Sequence, residues 1–159
     1  MKTYLLEREQ RISRSLSETF DFFAQAENLG RITPPWLHFR IRSQLPIQMR
    51  VDARIDYTIR LAGVPLHWRT RIVAWEPERS FVDIQERGPY ATWEHTHLFE
   101  PQESGVLMTD RVRYALPFGW LGQATNTLAV RSALATIFDY RFQCIQTLLD
   151  KSAPGHGHD

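Results

Sequence analysis

The sequence predicts an α+β fold in which a curved antiparallel sheet is covered on one face by a single long C-terminal helix. Three observations lead there. Apolar residues alternate with charged ones at period two through most of residues 36–115. After Pro117 the pattern turns helical and continues to about Lys151. No repeat, linker or low-complexity stretch interrupts the order β-α-α-β-β-β-β-β-β-α, so the strands share one sheet and one core. With 159 residues the chain matches one domain, read as 1–151, followed by a tail at 152–159.

The elements follow in order. Residues 4–12 read as a strand. Ser15 and Glu18 have capping-box spacing, hydroxyl to amide and carboxylate to amide, and so start a short helix carrying Phe20, Phe22 and Phe23. Asn28 to Thr33 adds a second short helix, which Pro34 and Pro35 end. Leu37, Phe39 and Ile41 then alternate with His38, Arg40 and Arg42, as a strand from Trp36. A further strand spans 51–61, and Ala62-Gly63 is a two-residue hairpin because glycine accepts positive φ. That turn sets Tyr57 opposite Trp68 and Asp56 opposite Arg69, with aromatics on one face and charges on the other. Three more strands cover roughly 80–87, 90–100 and 105–115. In the last helix, apolar or small residues recur at 121, 124, 128, 135, 138, 142, 145 and 149.

Composition narrows the function. Nineteen basic residues against 18 acidic ones give a net charge of +1, which provides no field for nucleic acid. No run approaches the roughly 20 apolar residues that span a bilayer, and the first ten residues lack a signal-peptide apolar region. No stable membrane insertion is expected. One cysteine, Cys144, excludes a disulfide framework and points to the cytoplasm; a monomer or weak homodimer is expected. Aromatics stand out at 12%, with five Trp and nine Phe. They need a place to sit.

Polar residues interrupt the face that should be buried. In Thr92-Trp-Glu-His-Thr-His-Leu-Phe99 one face carries Trp93, His95, His97 and Phe99. A four-residue loop at 101–104 pairs His95 with Asp110, His97 with Met108, Phe99 with Val106 and Trp93 with Val112, and outside pairs Glu94 with Arg111. A three-residue loop at 88–90 places Asp83 beside His95 and Gln85 beside Trp93; the shorter alternative opposes Asp83 and Glu94. His95 then lies between two carboxylates, and a buried carboxylate must find a partner. The cluster reads as a hydrogen-bonded network fixing register, as an anchor for a ligand's polar group, or as an acid/base pair with His95, Asp110 and Asp83 as candidate catalytic residues. His95, His97 and Asp110 could also meet at a metal, but without H-E-x-x-H or a further His no metal or other cofactor is expected. Tyr57, Trp68, Trp93, Phe99, Tyr114 and Phe142 are expected as pocket walls, with Gln85, His97 and Met108 beside them. Phe118 and Trp120 could gate the pocket, and Asp139 and Arg141 could reach its floor or a strand, or form a solvated helix surface. His156 and His158 in the tail could capture stray metal.

Several of these stretches together are specific: Asn28-Leu-Gly-Arg-Ile-Thr-Pro-Pro-Trp36, Gly63-Val-Pro-Leu-His-Trp-Arg-Thr-Arg71, Trp75-Glu-Pro77, Phe81-Val-Asp83, Arg87-Gly-Pro-Tyr90, Trp93-x-His95-x-His97-x-Phe99 and Ile137-Phe-Asp-Tyr-Arg141. Over residues 1–151 the chain resembles a bacterial ligand-binding subfamily of the SRPBCC superfamily, which includes START-like and polyketide cyclase/dehydrase-like proteins. The resemblance implies the helix-grip fold, seven antiparallel strands around a long helix, with a cavity for a small hydrophobic molecule. No catalytic residue set carries over from the family. The leading expectation is therefore binding of an aromatic, polycyclic or lipid-like molecule. The alternatives are a cofactor-free cyclase, dehydratase or hydrolase using the His–Asp pair, and a protein-interaction module with a filled cavity.

Overall fold

A computed structural model describes residues 1–61, 63–117 and 123–149. Strand β1 spans Thr3–Ile12 and helix α1 Leu16–Ala24; two 3₁₀ turns follow at Ala26–Ile32 and Pro35–Leu37. Then come β2 (Arg40–Ile41), β3 (Arg54–Leu61), β4 (Val64–Glu76), β5 (Ser80–Arg87), β6 (Thr92–Gln102), β7 (Gly105–Ala115) and helix α2 (Gln123–Leu149). The strands form one antiparallel sheet in the order β1-β7-β6-β5-β4-β3-β2. Sheet and long helix together make the expected helix-grip architecture. Among the described residues no helix is long and apolar enough to cross a membrane.

Local chemistry explains the first turn of the chain. Ser15 accepts from the Glu18 amide, and the Glu18 carboxylate accepts from the Ser15 amide at 3.0 Å, a complete capping box. Ser15→Ala is expected to cost about 1 kcal/mol, read as a lower urea midpoint at unchanged m-value. The start of α1 matters because Phe20, Phe22 and Phe23 are all buried from it.

Strand β2 is shorter than the alternation predicts. Leu37 belongs to the 3₁₀ turn opened by Pro35, and His38 follows it in the left-handed region at φ 46°, so only Arg40 and Ile41 pair with β3. Strand β3 likewise starts at Arg54 rather than 51. Asp52 and Ala53 still exchange main-chain bonds with Ile72, but Asp52 at φ 67° breaks the alternation and Val51 is exposed. Beyond that point the β3–β4 register agrees with the prediction, with Tyr57 opposite Trp68 and Asp56 opposite Arg69. Gly63 supplies the positive φ of 80° in the connecting turn; Ala62 lies outside the described residues.

The β6–β7 register is shifted by two residues from the predicted one. The turn holds Glu103 and Ser104 alone, with Gln102 opposite Gly105. Gly105 has φ 131°, and a Cβ there would stand 2.1 Å from the Ile12 carbonyl oxygen, so only glycine fits. His97 is therefore opposite Asp110, His95 opposite Val112, Trp93 opposite Tyr114 and Phe99 opposite Met108. Outside, Glu94 faces Arg113, while Arg111 is taken by Glu7 of β1. A shift of two leaves every side chain on its predicted face.

At 1.5 Å per residue α2 is about 40 Å long. Its buried stripe is Leu134, Phe138, Arg141, Ile145 and Leu149, one position off the predicted stripe in places. Leu128, expected inside, is 70% exposed. Two packed clusters result. Phe20, Phe23, Phe81, Phe99, Met108 and Ile145 are among the members of one; Val112, Tyr114, Leu134 and Phe138 form the other.

Candidate functional site

A cavity of about 190 Å³ lies between the two clusters. Sheet residues Tyr57, Trp68, Tyr90 and Trp93 line it on one side, and Leu134 and Phe138 of α2 on another. The aromatic wall is continuous: Tyr57 stacks on Trp68 at 5.8 Å, and Trp68 meets Trp93 edge-on at 5.3 Å. Such offset and edge-to-face pairs keep the rings rigid. Phe22, Leu37 and Phe39, from α1 and the segment after it, add further apolar surface.

Most polar groups on this lining are spent locally. The Asn28 amide donates to the Phe22 carbonyl, the Thr33 hydroxyl to the Leu29 carbonyl, and Trp68 Nε1 to the Thr70 hydroxyl. Burial pushes the Tyr57 and Tyr90 phenols well above their ordinary pKa, so both keep their protons. One wall remains polar. It consists of Asp83, His95, His97 and Arg141.

Strand pleating builds that wall. His95 and His97 are two apart on β6 and share its inner face, and Asp83 of β5 is directly opposite His95. Asp110 of β7 lies behind both rings. Its Oδ1 is 2.9 Å from His95 Nε2 and 3.1 Å from His97 Nδ1, the latter off the line of a good hydrogen bond. On its other side, Arg141 Nε donates to Asp110 Oδ2 at 2.8 Å and Nη2 to Oδ1 at 3.2 Å. His97 Nε2 is 3.2 Å from Asp83 Oδ2, whereas His95 Nδ1 is 3.9 Å from it, too far for a hydrogen bond.

The electrostatics follow from this packing. Burial works to raise the pKa of the Asp110 carboxyl, but Arg141 and the two imidazoles outweigh it and hold the group well below its ordinary range. Burial, helped by neighbouring His97, lowers the pKa of His95 despite its bond to Asp110. Burial also opposes the His97 imidazolium, yet there the Asp110 and Asp83 carboxylates prevail and the pKa rises. The pair thus divides into a more basic His97 and a less basic His95. His95 lines the cavity, and its Nδ1 makes no hydrogen bond among the described residues.

Of the residues expected at the site, Tyr57, Trp68, Asp83, Trp93, His95 and His97 line the cavity. Gln85 does not: its amide closes the 88–91 loop by donating to the Tyr90 carbonyl and accepting from the Tyr90 amide. Phe99, Met108 and Tyr114 are fully packed in the core, within the two clusters that flank the cavity. Asp110 supports the wall from behind. Phe142 borders, with Asp110 and Gln10, a separate void of about 10 Å³, too small for a ligand. Phe118, Trp120, His156 and His158 lie outside the described residues. Asp139 turns outward to Arg8. Arg141, expected to reach the cavity floor or a strand, does both: it lines the cavity and bonds Asp110 of β7, from a position three from Phe138 and four from Ile145 on the buried stripe.

Fold and cavity together define the helix-grip class of architectures. Residues 12–143 match the family model described as polyketide cyclase / dehydrase and lipid transport, and the chain belongs to that family. Similar solved structures include the Zhui aromatase/cyclase from Streptomyces sp. R1128, with a TM-score of 0.74 at 9% identity over 99% of this chain and 100% of that one. Protein CV1439 from Chromobacterium violaceum gives a TM-score of 0.71 at 11% identity, covering 94% and 99%. The di-domain aromatase/cyclase StfQ of the steffimycin biosynthetic pathway gives 0.70 at 13% identity; 92% of this chain covers 51% of that one, so this chain spans about half its length. No curated protein matches the sequence. At these identities the structures establish the fold alone.

Proposed function

We propose that this protein binds a small, mainly aromatic molecule inside the cavity and holds its polar end against the Asp83–His95–His97–Arg141 wall. The carrying observation is the division of the lining: an aromatic and aliphatic box with its ionisable groups, Asp83, His95, His97 and Arg141, gathered on one side. Sites for small molecules have this composition. The size suits a one- or two-ring compound, since cavities of roughly 150 Å³ accept benzene. His95 Nδ1 accepts a hydrogen bond from the ligand's hydroxyl. The reading is supported by membership of a family described by cyclase, dehydrase and lipid-transport members. The free, half-buried Cys144 agrees with a reducing, cytoplasmic setting.

Titration with 2-naphthol, followed by its fluorescence, tests the proposal. Saturable one-to-one binding is expected, and Leu134→Trp, which fills the box from α2, is expected to weaken it by more than about tenfold while the protein stays folded. Unsaturable partitioning, or equal binding by the filled variant, would overturn the reading.

A second reading rests on the Asp110–His95 hydrogen bond, which fixes the imidazole through Nε2 and leaves Nδ1 without a hydrogen bond among the described residues, the arrangement of a general base. A cofactor-free enolisation would move a carbon-bound ligand proton to that nitrogen. Faster deuterium exchange at the benzylic carbon of 2-tetralone in wild type, lost in His95→Gln with 2-naphthol binding retained, supports it; equal exchange in both excludes it.

A further inference from the structure

We propose that Asp83, His95 and His97 form a binding site for one divalent cation of the zinc class, with open coordination positions toward the cavity. The cavity reading matters here only for what would occupy those positions: with an ion present His95 Nδ1 ligates it, and the polar oxygen of a cavity ligand meets the ion in place of that nitrogen.

Three donors converge. One ligand atom from each of the three residues lies within 4.8 Å of the other two. His97 Nε2 is 3.2 Å and His95 Nδ1 3.9 Å from the same Asp83 oxygen. Around zinc, with bonds of about 2.0–2.1 Å, neighbouring tetrahedral ligands stand about 3.3 Å apart. The two spacings to Asp83 bracket that value, and with all three donors within 4.8 Å of one another, side-chain rotations that draw them together seat an ion. All three donors come from the inner face of two adjacent strands, which leaves the opposite side of the ion to the cavity. Two histidines and one carboxylate with free positions suit zinc, cobalt or ferrous iron better than calcium or magnesium.

The surroundings are those of a supported metal site. Metal-bound imidazoles nearly always give their second ring N–H to a carboxylate or carbonyl, which fixes tautomer and orientation. Here Asp110 Oδ1 stands 2.9 Å from His95 Nε2 and 3.1 Å from His97 Nδ1, on the far side of both rings, and Arg141 clamps that carboxylate. The His97 Nδ1 atom is buried without an aligned hydrogen bond, and an ion on Nε2 would require its proton to point at Asp110. Charge adds to this. With neutral imidazoles, two carboxylates against one guanidinium leave the cluster one unit negative; a divalent ion reverses the sign and favours an oxygen ligand such as water, a phenolate or an enolate.

Cobalt(II) alone, added to the metal-stripped full-length protein without any aromatic ligand, is the test. One equivalent should develop the visible absorption of low-coordinate cobalt, and zinc should bleach it. Asp83→Asn and Asp110→Asn should each weaken cobalt binding by about 10–100-fold. His156→Ala/His158→Ala in the full chain should leave the spectrum unchanged. A folded wild-type protein without these bands, loss of the bands in the tail variant, or wild-type affinity in folded Asp83→Asn would each overturn the proposal. Should Asp83→Asn fail to fold, the wild-type and tail-variant spectra still decide. Because no aromatic compound is present, this result and the 2-naphthol result fail independently.

Discussion

Arg141→Met is expected to lower the unfolding free energy by about 3–5 kcal/mol at neutral pH, read from the urea midpoint. The Arg141 and Asp110 side chains are 8% and 6% exposed, so the variant leaves a carboxylate with no water and no guanidinium to compensate it. His97, whose pKa the carboxylates raise, offsets part of the charge but is shared with Asp83, and burial lowers the pKa of His95, so the imidazoles do not replace the guanidinium. The double variant Arg141→Met/Asp110→Asn should recover much of the loss, because the penalty belongs to the stranded charge more than to the missing attraction. The pH dependence has a definite sign. The folded pKa of Asp110 is depressed below its unfolded value of about 3.9. Its contribution is therefore present above that value and disappears as pH falls through the folded pKa. Acidification should then narrow the gap between Arg141→Met and wild type. A gap that stays constant down to acid unfolding would show that Arg141 acts through packing of its stem alone. The two imidazoles oppose each other near neutrality: protonation on folding favours stability for His97 and costs it for His95.

How much of this was legible in the sequence depends on whether each choice had a unique partner. The β3–β4 register was legible because a slip would have separated Tyr57 from Trp68 and Asp56 from Arg69 together. The β6–β7 register was not. Glu94 finds an arginine at 111 or at 113, and a two-residue shift conserves both faces, so charge pairing could not discriminate. What decides is turn geometry: Gly105 sits against the Ile12 carbonyl, a contact with a strand more than ninety positions earlier in the chain. Asp83, His95 and His97 still arrive on one wall, because parity rather than register puts them there. Arg141 is expected at the cavity floor or a strand, but its pairing with Asp110 was not legible, for a related reason. A helical stripe read from apolar residues alone passes over a charged residue on its own face, and only the carboxylate on β7 explains why an arginine is tolerated there. The short β2 shows the limit of alternation, since Pro35 and the left-handed His38 override it locally.

The aromatic residues fall into two populations, and mutation should separate them. Phe99 is 3% exposed and packs against Phe20, Phe23 and Phe81 at centroid distances of 5.3, 5.5 and 6.1 Å, two of those partners coming from α1. Removing its ring empties a site that the helix and three strands enclose, so the neighbours cannot collapse into it. Phe99→Ala is expected to cost about 3–5 kcal/mol in urea unfolding while leaving 2-naphthol affinity of the folded protein nearly unchanged. Trp93 is only half-buried and lies against Trp68, Tyr90 and the cavity. Trp93→Leu opens space that already exists, so the stability loss should be smaller and the 2-naphthol affinity should fall by about tenfold, the ratio that corresponds to one lost ring contact of about 1.4 kcal/mol. The contrast matters because bulk hydrophobicity would predict the same outcome for both. If Phe99→Ala weakened 2-naphthol binding as much as Trp93→Leu, the packed cluster and the cavity wall would be one continuous ligand surface. If neither did, the aromatic wall would be serving the core alone, and the cavity would have to select its ligand through His95 and its neighbours.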